Sequence, residues 1–474
     1  MTVKKTILFY ITIISLVFSQ VSCDSDNEEN ENNVQSKQET TVYKPGGFVY
    51  KIDCRTDQSQ SYAAYFPASY KPQTQFPIII VFDAHARGKM AVRKFQKAAD
   101  EYGYIVVASN NAKNGLKTID NTINVLFDDI FYRFNINKNR VYTAGFSGGA
   151  KVASSVAIYK GGIAGVMAIA GGLPKVGQEI SSKFDFATIV GIEDFNFLEL
   201  RTLDKQMKKL GFPHLLTITE KGHSWPDEET LITTIEWFEI QSMKRGDIPT
   251  NDNLIRNYSQ FMADSINDLV LKGKVYEAKK LYEQFLSTLD GLYDITEYQK
   301  SYDVLLKNPD IKIQETEIET AVKAEAEKQQ QYINLFKKQS FKQLMHEIEI
   351  LKSGIQTKNV LKMNKAKRLL NYMSMLSYVF SESTLKNNDS KIAEKYLSIY
   401  KKADPNNPDY YFFNACVFAN KNMEKEALES LNKAVEFGFF DTSELEAEKC
   451  FSKINKLTEF ESIVTKAKIN FDEL

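Results

Sequence analysis

Cysteine is scarce in this chain, with four residues among 474: Cys23, Cys54, Cys416 and Cys450. None of them stands in a Cys-x-x-Cys spacing, so the sequence indicates neither a disulfide scaffold nor a metal site, and we expect no metal and no cofactor. A bridge between Cys416 and Cys450 would need an oxidising compartment, and two buried thiols are the expectation.

Charge of one sign is also lacking, because 60 Lys and Arg residues are balanced by 61 Asp and Glu residues to a net charge of -1. A chain without a positive field is not expected to bind nucleic acid. Hydrophobic residues make up 43% of the chain, which is enough to bury ordinary cores, and the length predicts two to three domains.

The apolar run from Thr6 to Phe18 is too short to span a bilayer comfortably, but it follows Lys4 and Lys5 and fits the core of a signal peptide over residues 1–22. A small residue before Cys23 resembles a bacterial lipobox, although Gln20 stands where leucine is usual. The resemblance implies that Cys23 is lipidated and anchors the protein to a membrane. The alternative is an ordinary signal peptide with Cys23 incidental.

Residues 23–42 are polar and acidic, and we interpret them as a disordered tether. An acidic stretch directly after the cysteine also resembles the surface-export signal of Bacteroidetes lipoproteins. We therefore expect a lipoprotein of the bacterial outer membrane, on the periplasmic side or at the cell surface.

The stretch from Arg140 to Ala150 has the pattern of strand, tight turn and helix, with the turn reading Gly-Phe-Ser-Gly-Gly from Gly145 to Gly149. This is the pattern of a nucleophile elbow, which holds a serine above the carboxyl ends of a sheet. Ser147 is then the candidate nucleophile, and Gly148 at the helix start is a candidate oxyanion donor. The alternative is a plain strand-to-helix turn, because composition alone produces this string in roughly one chain in fifteen.

Apolar runs and helical patterns alternate through residues 43–245, which predicts a mostly parallel sheet with helices on both faces, the α/β-hydrolase fold. The first of these patterns, from Phe48 to Tyr70, predicts an antiparallel pair at the sheet edge. The run from Phe76 to Phe82 predicts a strand that is buried on both faces. Ligands of such a sheet bind at the carboxyl ends of its strands.

Two strands predicted near that edge end in further polar residues, Glu193 and Asp194 after one and His223 after the other. The chain order Ser147, Asp194, His223 is that of an α/β-hydrolase triad. His223 would act as the general base and Asp194 would orient the imidazole, with Glu193 as the competitor for the acid role. A structural role for His223 is the alternative.

A second oxyanion donor is expected in the loop that follows the buried run, at Ala84 or His85. The His85 side chain is interpreted as lining the pocket, or as a loop histidine without a role. Phe146 and Trp225 are the other candidate pocket residues.

With these motifs, the segment from about Tyr43 to Met243 resembles α/β-hydrolases of the polyhydroxybutyrate depolymerase and feruloyl esterase type, whose Gly-His-Thr-Trp-Pro is close to Gly222–Pro226. The resemblance implies hydrolysis of carboxylic esters through an acyl-enzyme. The His-Gly-Cys of that family is missing from the oxyanion loop. Sixteen residues between two predicted strands leave no room for a helical cap, so we expect an open cleft or a lid supplied by another domain.

After a polar linker, helical periodicity runs through residues 254–474. Near its end the positions of Ala393, Leu397 and Tyr400 are matched 34 residues later by Ala427, Leu431 and Ala434, a period that resembles tetratricopeptide repeats. Such repeats usually bind proteins or peptides, and an irregular helical bundle is the alternative.

The leading hypothesis is a lipid-anchored serine esterase that acts on ester substrates such as polysaccharide-linked acyl or feruloyl esters. One alternative is a surface-anchored binding scaffold whose hydrolase domain is catalytically silent. The other is a serine peptidase of the same fold, which would commonly carry a large N-terminal propeller that this sequence lacks room for.

Overall fold

The computed structural model describes residues 43–174, 180 and 183–473, and residues Tyr43–Leu474 form one compact unit. The predicted signal peptide, Cys23 and the acidic tether lie outside the described residues. Among the helices of these residues, none combines the length and the hydropathy of a membrane-spanning segment.

One eight-stranded sheet forms the first half of this unit, with the spatial order β1-β2-β4-β3-β5-β6-β7-β8. Its strands are β1 (Gly47–Asp53), β2 (Ser61–Phe66), β3 (Phe76–Asp83), β4 (Ile105–Ser109), β5 (Ile136–Phe146), β6 (Gly165–Ile169), β7 (Asp185–Gly191) and β8 (His214–Thr219). Strand β2 pairs antiparallel with β1 and with β4, and every other pairing is parallel. This is the predicted α/β-hydrolase sheet with its antiparallel edge.

Helices cover both faces of the sheet, and two hydrophobic cores result. They are α1 (Gly88–Lys94), α2 (Gln96–Tyr102), α3 (Ile119–Arg133), α4 (Gly148–Tyr159), α5 (Phe197–Leu210) and α6 (Glu228–Arg245). Successive side chains of β3 enter opposite cores, Ile78 and Ile80 one of them and Ile79 and Val81 the other. Such burial on both faces explains the continuous apolar run that predicted this strand.

The described chain after α6 is helical. It comprises α7 (Asp252–Leu271), α8 (Val275–Leu289), α9 (Thr296–Leu305), α10 (Asp310–Lys337), α11 (Phe341–Ile355), α12 (Val360–Lys386), α13 (Ser390–Ala403), α14 (Pro408–Asn420), α15 (Glu424–Glu436), α16 (Thr442–Ala447), a 3-10 turn (Lys449–Phe451) and α17 (Thr458–Glu473). We call α7 to α17 the helical region.

The repeat residues lie on α13 and α15, where Ala393 and Ala427 are both fully buried in one core. Tetratricopeptide identity stays a prediction.

Cys416 and Cys450 form a disulfide, with their Cα atoms 5.3 Å apart. The expectation of two buried thiols was therefore wrong. The bridge joins α14 to the 3-10 turn, two elements that pack against each other in the core around Phe412 and Phe451. Packing had already brought the two thiols within bonding distance, which spacing along the chain does not reveal.

The helical region continues the core of the sheet region across the predicted linker. Ile240 and Met243 of α6 pack in one cluster with Ile255 of α7 and Phe285 of α8. The indole N–H of Trp237, itself fully buried, donates to Thr288 at 3.2 Å. The two regions therefore share buried apolar surface, and the domain boundaries at 245 and 254 stay a prediction.

Candidate active site

The elbow between β5 and α4 holds Ser147 with φ of 56° and ψ of -116°, a conformation that residues with a side chain rarely adopt. A Cβ on Gly145 would lie 2.2 Å from the Gly149 carbonyl oxygen, and a Cβ on Gly149 would lie 2.1 Å from the Phe82 carbonyl oxygen. Only glycine fits at either position. The Gly-x-Ser-x-Gly spacing is thus a packing requirement of this turn.

Ser147, His223 and Asp194 form a continuous hydrogen-bonded row. The Nε2 atom of His223 lies 3.0 Å from the Ser147 hydroxyl oxygen, and its Nδ1 atom lies 3.0 Å from each carboxylate oxygen of Asp194. Asp194 is fully buried, whereas the imidazole is partly exposed. The structure brings together the three residues that the sequence predicts, and the arrangement allows proton transfer from Ser147 to His223.

The acid loop, which we define as residues 192–196, is joined by backbone hydrogen bonds to the loop that carries His223. The Ile192 N–H donates to the Thr219 carbonyl at 2.7 Å, and the Glu193 N–H donates to the Lys221 carbonyl at 3.0 Å. These two backbone hydrogen bonds join the loops just before Asp194 and His223, and so limit how far the two side chains can separate.

Of the two adjacent carboxylates, Asp194 alone reaches the imidazole. The Glu193 carboxylate pairs with Lys367 of α12 at 2.5 Å. Asp194 Oδ1 also accepts the Asn196 N–H at 2.8 Å, which holds the carboxylate toward His223. The geometry favours Asp194 as the acid.

Aromatic rings enclose the imidazole of His223. The Phe195 ring stacks on it at a centroid distance of 4.2 Å. The centroid of the Phe146 ring lies 4.9 Å from that of the imidazole, and the Phe146 ring also stacks on Trp225. Phe146 and Trp225 are 7% and 9% exposed, so the structure places these predicted pocket residues behind the imidazole, where they support it. Phe195 was not predicted, because an aromatic after two acids carries no signal of its own.

The candidate oxyanion donors differ in whether their backbone N–H groups are already hydrogen-bonded. Gly148 begins α4, where backbone N–H groups have no partner within the helix. Ala84 is buried directly after β3, but the N–H of His85 already donates to Asp83 at 2.9 Å. This bond argues against the His85 N–H as an oxyanion donor, so the N–H groups of Ala84 and Gly148 are the two remaining candidates. The His85 ring packs edge-on against Phe440 of the helical region.

Asp83 organises the oxyanion loop and was missed by the sequence analysis. Its buried carboxylate accepts two hydrogen bonds from the Arg87 guanidinium, at 2.7 and 2.8 Å, and one from the Trp225 indole at 3.2 Å. Burial would raise the pKa of Asp83, but the hydrogen bonds and charge of Arg87 with the His85 N–H lower it below its usual value. A signal existed, since Asp83 directly follows the most apolar predicted strand.

Asn114 connects the two oxyanion segments and was also missed. Its N–H donates to the Ala84 carbonyl at 2.9 Å, and its side-chain oxygen lies 1.8 Å from where a Cβ on Gly148 would stand. The absence of a side chain at Gly148 therefore lets the Asn114 amide approach the elbow. This contact fixes the spacing between the two candidate donor segments.

The helical region reaches the site at two loops. Residues of α12 bind the acid loop, and Phe440 lies 5.1 Å beneath the Arg87 guanidinium at the oxyanion loop. In the described residues, the grouping with metal-ligand spacing is Cys416, Glu448 and Cys450, and its two thiols form the disulfide. The triad itself consists of groups suited to acyl transfer.

No protein-family model matches the chain, and no curated protein matches it. Solved structures do show similarity. A fluorophosphonate-binding serine hydrolase F of Staphylococcus aureus is 12% identical, with 41% of this chain and 99% of that chain covered and a TM-score of 0.35. An S-formylglutathione hydrolase of the same organism gives 12% identity, 41% and 96% coverage and a TM-score of 0.34. A ferulic acid esterase is 14% identical over 40% of this chain and 96% of that chain, with a TM-score of 0.32.

Proposed function

We propose that this protein is a serine hydrolase that cleaves carboxylic esters through an acyl-enzyme on Ser147. The observation that carries the proposal is the hydrogen-bonded row from the Ser147 hydroxyl through His223 to the buried Asp194. A strained elbow and two backbone donor positions beside it complete the parts that acyl transfer needs.

In the first half-reaction, Ser147 attacks the ester carbonyl while His223 Nε2 accepts the hydroxyl proton. The carbonyl oxygen becomes an oxyanion, which the N–H groups of Gly148 and Ala84 stabilise. Asp194 keeps Nδ1 protonated and stabilises the imidazolium. Collapse of the intermediate breaks the bond to the alcohol oxygen, and His223 returns its proton to the departing alcohol.

In the second half-reaction, water takes the place of the alcohol. His223 accepts a proton from the water as its oxygen attacks the acyl carbonyl, and the same two N–H groups hold the oxyanion. Collapse then releases the carboxylic acid and restores the Ser147 hydroxyl with the proton that His223 held.

A fluorophosphonate probe tests the nucleophile directly. We expect the wild-type protein to be labelled, and Ser147→Ala to lose both labelling and hydrolysis of short nitrophenyl esters. Ser155→Ala, at a partly exposed serine on the same helix α4, is the control and should behave as wild type. A well-folded wild-type protein that takes no label would support the silent scaffold instead, and faster turnover of peptides than of esters would support a peptidase.

The proposed substrates are polysaccharide-linked acyl or feruloyl esters, on the basis of the sequence motifs around Ser147 and His223. A panel of feruloyl, acetyl and hydroxybutyryl esters would rank the acyl groups by kcat/KM. A clear preference for hydroxybutyryl esters would contradict the proposed substrate class while leaving ester hydrolysis intact.

We also propose that the protein is anchored at the bacterial outer membrane by lipid on Cys23, and that the helical region binds a protein or peptide partner. The support for the anchor is the small residue before Cys23 and the acidic run after it. Metabolic labelling with an alkyne fatty acid should mark the wild-type chain and leave Cys23→Ser unmarked.

A further inference from the structure

Three side chains on one face of α12 hold the backbone that precedes the triad acid. Arg368 donates through Nη1 to the Ile192 carbonyl at 2.8 Å, and Asn371 donates through its amide to the Glu193 carbonyl at 2.8 Å. Lys367 pairs with the Glu193 side chain. Each bond ends on one of the two residues directly before Asp194.

Arg368 is itself held rigidly. Its Nε and Nη2 atoms donate to the two carboxylate oxygens of Glu325 on α10, at 2.8 and 2.6 Å, and both side chains are buried. The guanidinium also lies 4.3 Å over the ring of Phe197, the first residue of α5. A planar guanidinium can bind a carboxylate with one edge and still present a further N–H to a carbonyl, which a lysine ammonium cannot match.

Glu325 already balances the charge of Arg368 within the buried ion pair. The stability of that pair therefore does not require a further hydrogen bond from Arg368 to the acid loop. An N–H on Nη1 of Arg368 nevertheless donates to the Ile192 carbonyl. Because a displacement of about 1 Å can cost about 100-fold in rate, a contact that fixes the backbone before Asp194 bears directly on catalysis.

We propose that Arg368, together with Asn371, is a positioning residue for the triad acid, so that the helical region is part of the catalytic machinery. The proposal rests on the proposed function. Arg368 and Asn371 fix the acid loop from the helical side, while the Lys367 pair draws Glu193 away from His223 and leaves Asp194 as the imidazole's partner. The helical region thereby determines which carboxylate serves the imidazole and where it lies.

The test is a double-mutant cycle on ester hydrolysis. We expect Arg368→Met to lower kcat by about 10- to 100-fold with KM changed by less than about twofold, because the acid's position affects the chemical step more than substrate binding. In an Asp194→Asn background the same substitution should change kcat by less than about twofold, because a positioning residue has nothing left to position. Arg368→Lys keeps the charge and should recover only part of the rate.

Asn371→Leu removes one hydrogen bond that a partly buried side chain makes to the acid loop. If Arg368→Met does not fold, the double-mutant cycle with Asp194→Asn is measured with Asn371→Leu instead. Lys362→Ala, at an exposed position of α12, is the matched control and should leave kcat unchanged.

Equal losses of kcat in the wild-type and Asp194→Asn backgrounds, or no loss in either, would overturn the inference while the enzyme stays active. A wild-type protein without fluorophosphonate labelling or ester turnover would overturn the proposed function and the inference with it.

Discussion

Asp83 shows how one buried carboxylate can organise a loop that has no regular structure. It binds the Arg87 guanidinium through two hydrogen bonds and also accepts the Trp225 indole N–H, so it joins the oxyanion loop to the loop that carries His223. The side chain of Asp83 is 1% exposed and that of Arg87 is 12% exposed, so solvent screens this pair little.

Asp83→Asn should therefore lower both stability and activity. Removing the charge leaves Arg87 partly buried without its partner, which should cost about 3 kcal/mol in the free energy of unfolding. Denaturant titration measures this loss, and kcat should fall as the oxyanion loop loosens.

Asp53→Asn is the matched control, because Asp53 pairs with Lys51 at 3.2 Å on the exposed surface. This change should alter the unfolding free energy by less than about 0.5 kcal/mol. Equal effects of the two substitutions would contradict the role given to Asp83.

The neighbouring acids Glu193 and Asp194 allow a direct comparison at the same loop. Asp194→Asn should lower kcat by about 10⁴-fold, because a neutral amide no longer holds the catalytic tautomer of the imidazole. Glu193→Gln should lower it by less than about 10-fold, because its side chain faces Lys367. Steady-state kinetics on a nitrophenyl ester would show the reverse order if Glu193 were the acid.

At the scale of elements, a group of acidic residues in the helical region makes the stability of that region depend on pH. Glu444 of α16 is partly buried, and burial together with the charges of Asp441, Asp409 and Glu382 raises its pKa to about 7. The pKa of Asp409 is raised to about 6, by burial and by the charges of Asp404 and Glu382. The folded state thus binds these protons more tightly than the unfolded chain does.

The sign of the effect follows from that binding. The stability that the protonated Glu444 side chain contributes is fully present below the ordinary pKa of a glutamate in the unfolded chain. It is lost as the pH rises through the folded-state pKa of about 7. Glu444→Gln should therefore raise the melting temperature by roughly 2 °C near pH 8 and have little effect near pH 4. Glu446→Gln, at an exposed position of the same helix, is the control. A stabilisation of Glu444→Gln that is the same at both pH values would contradict this account.

At the scale of the whole molecule, the shared core around α6 couples the sheet region to the helical region. Ile240 and Met243 pack with Ile255 and Phe285, and Arg368 and Phe440 contact loops of the active site. Unfolding either region would expose apolar surface of the other and release these loops.

We therefore expect one cooperative transition in calorimetry, with loss of esterase activity at the same temperature. Two separate transitions would show that the regions unfold independently.

Trp237→Phe, which removes the hydrogen bond to Thr288 across the shared core, should lower the melting temperature of the single transition.

The sheet and the positions of Ser147 and His223 could be predicted because their signals are local. A strand buried on both faces is a continuous apolar run, as Phe76–Asp83 is, and an elbow that admits only glycine at two positions leaves its spacing in the chain. His223 could be identified because the chain has four histidines and this one follows the last strand.

The pairing of Cys416 with Cys450, the choice of Asp194 over Glu193 and the support of the acid loop by Arg368 depend on tertiary structure. Arg368 lies 176 positions from Ile192, and nothing in its own neighbourhood along the chain distinguishes it from other basic residues of a helix. Chain neighbours determine where strands, helices and turns form. Which side chain meets a given carbonyl is decided by the packing of α10 and α12 against the sheet region, because only the folded chain brings those groups within hydrogen-bonding distance.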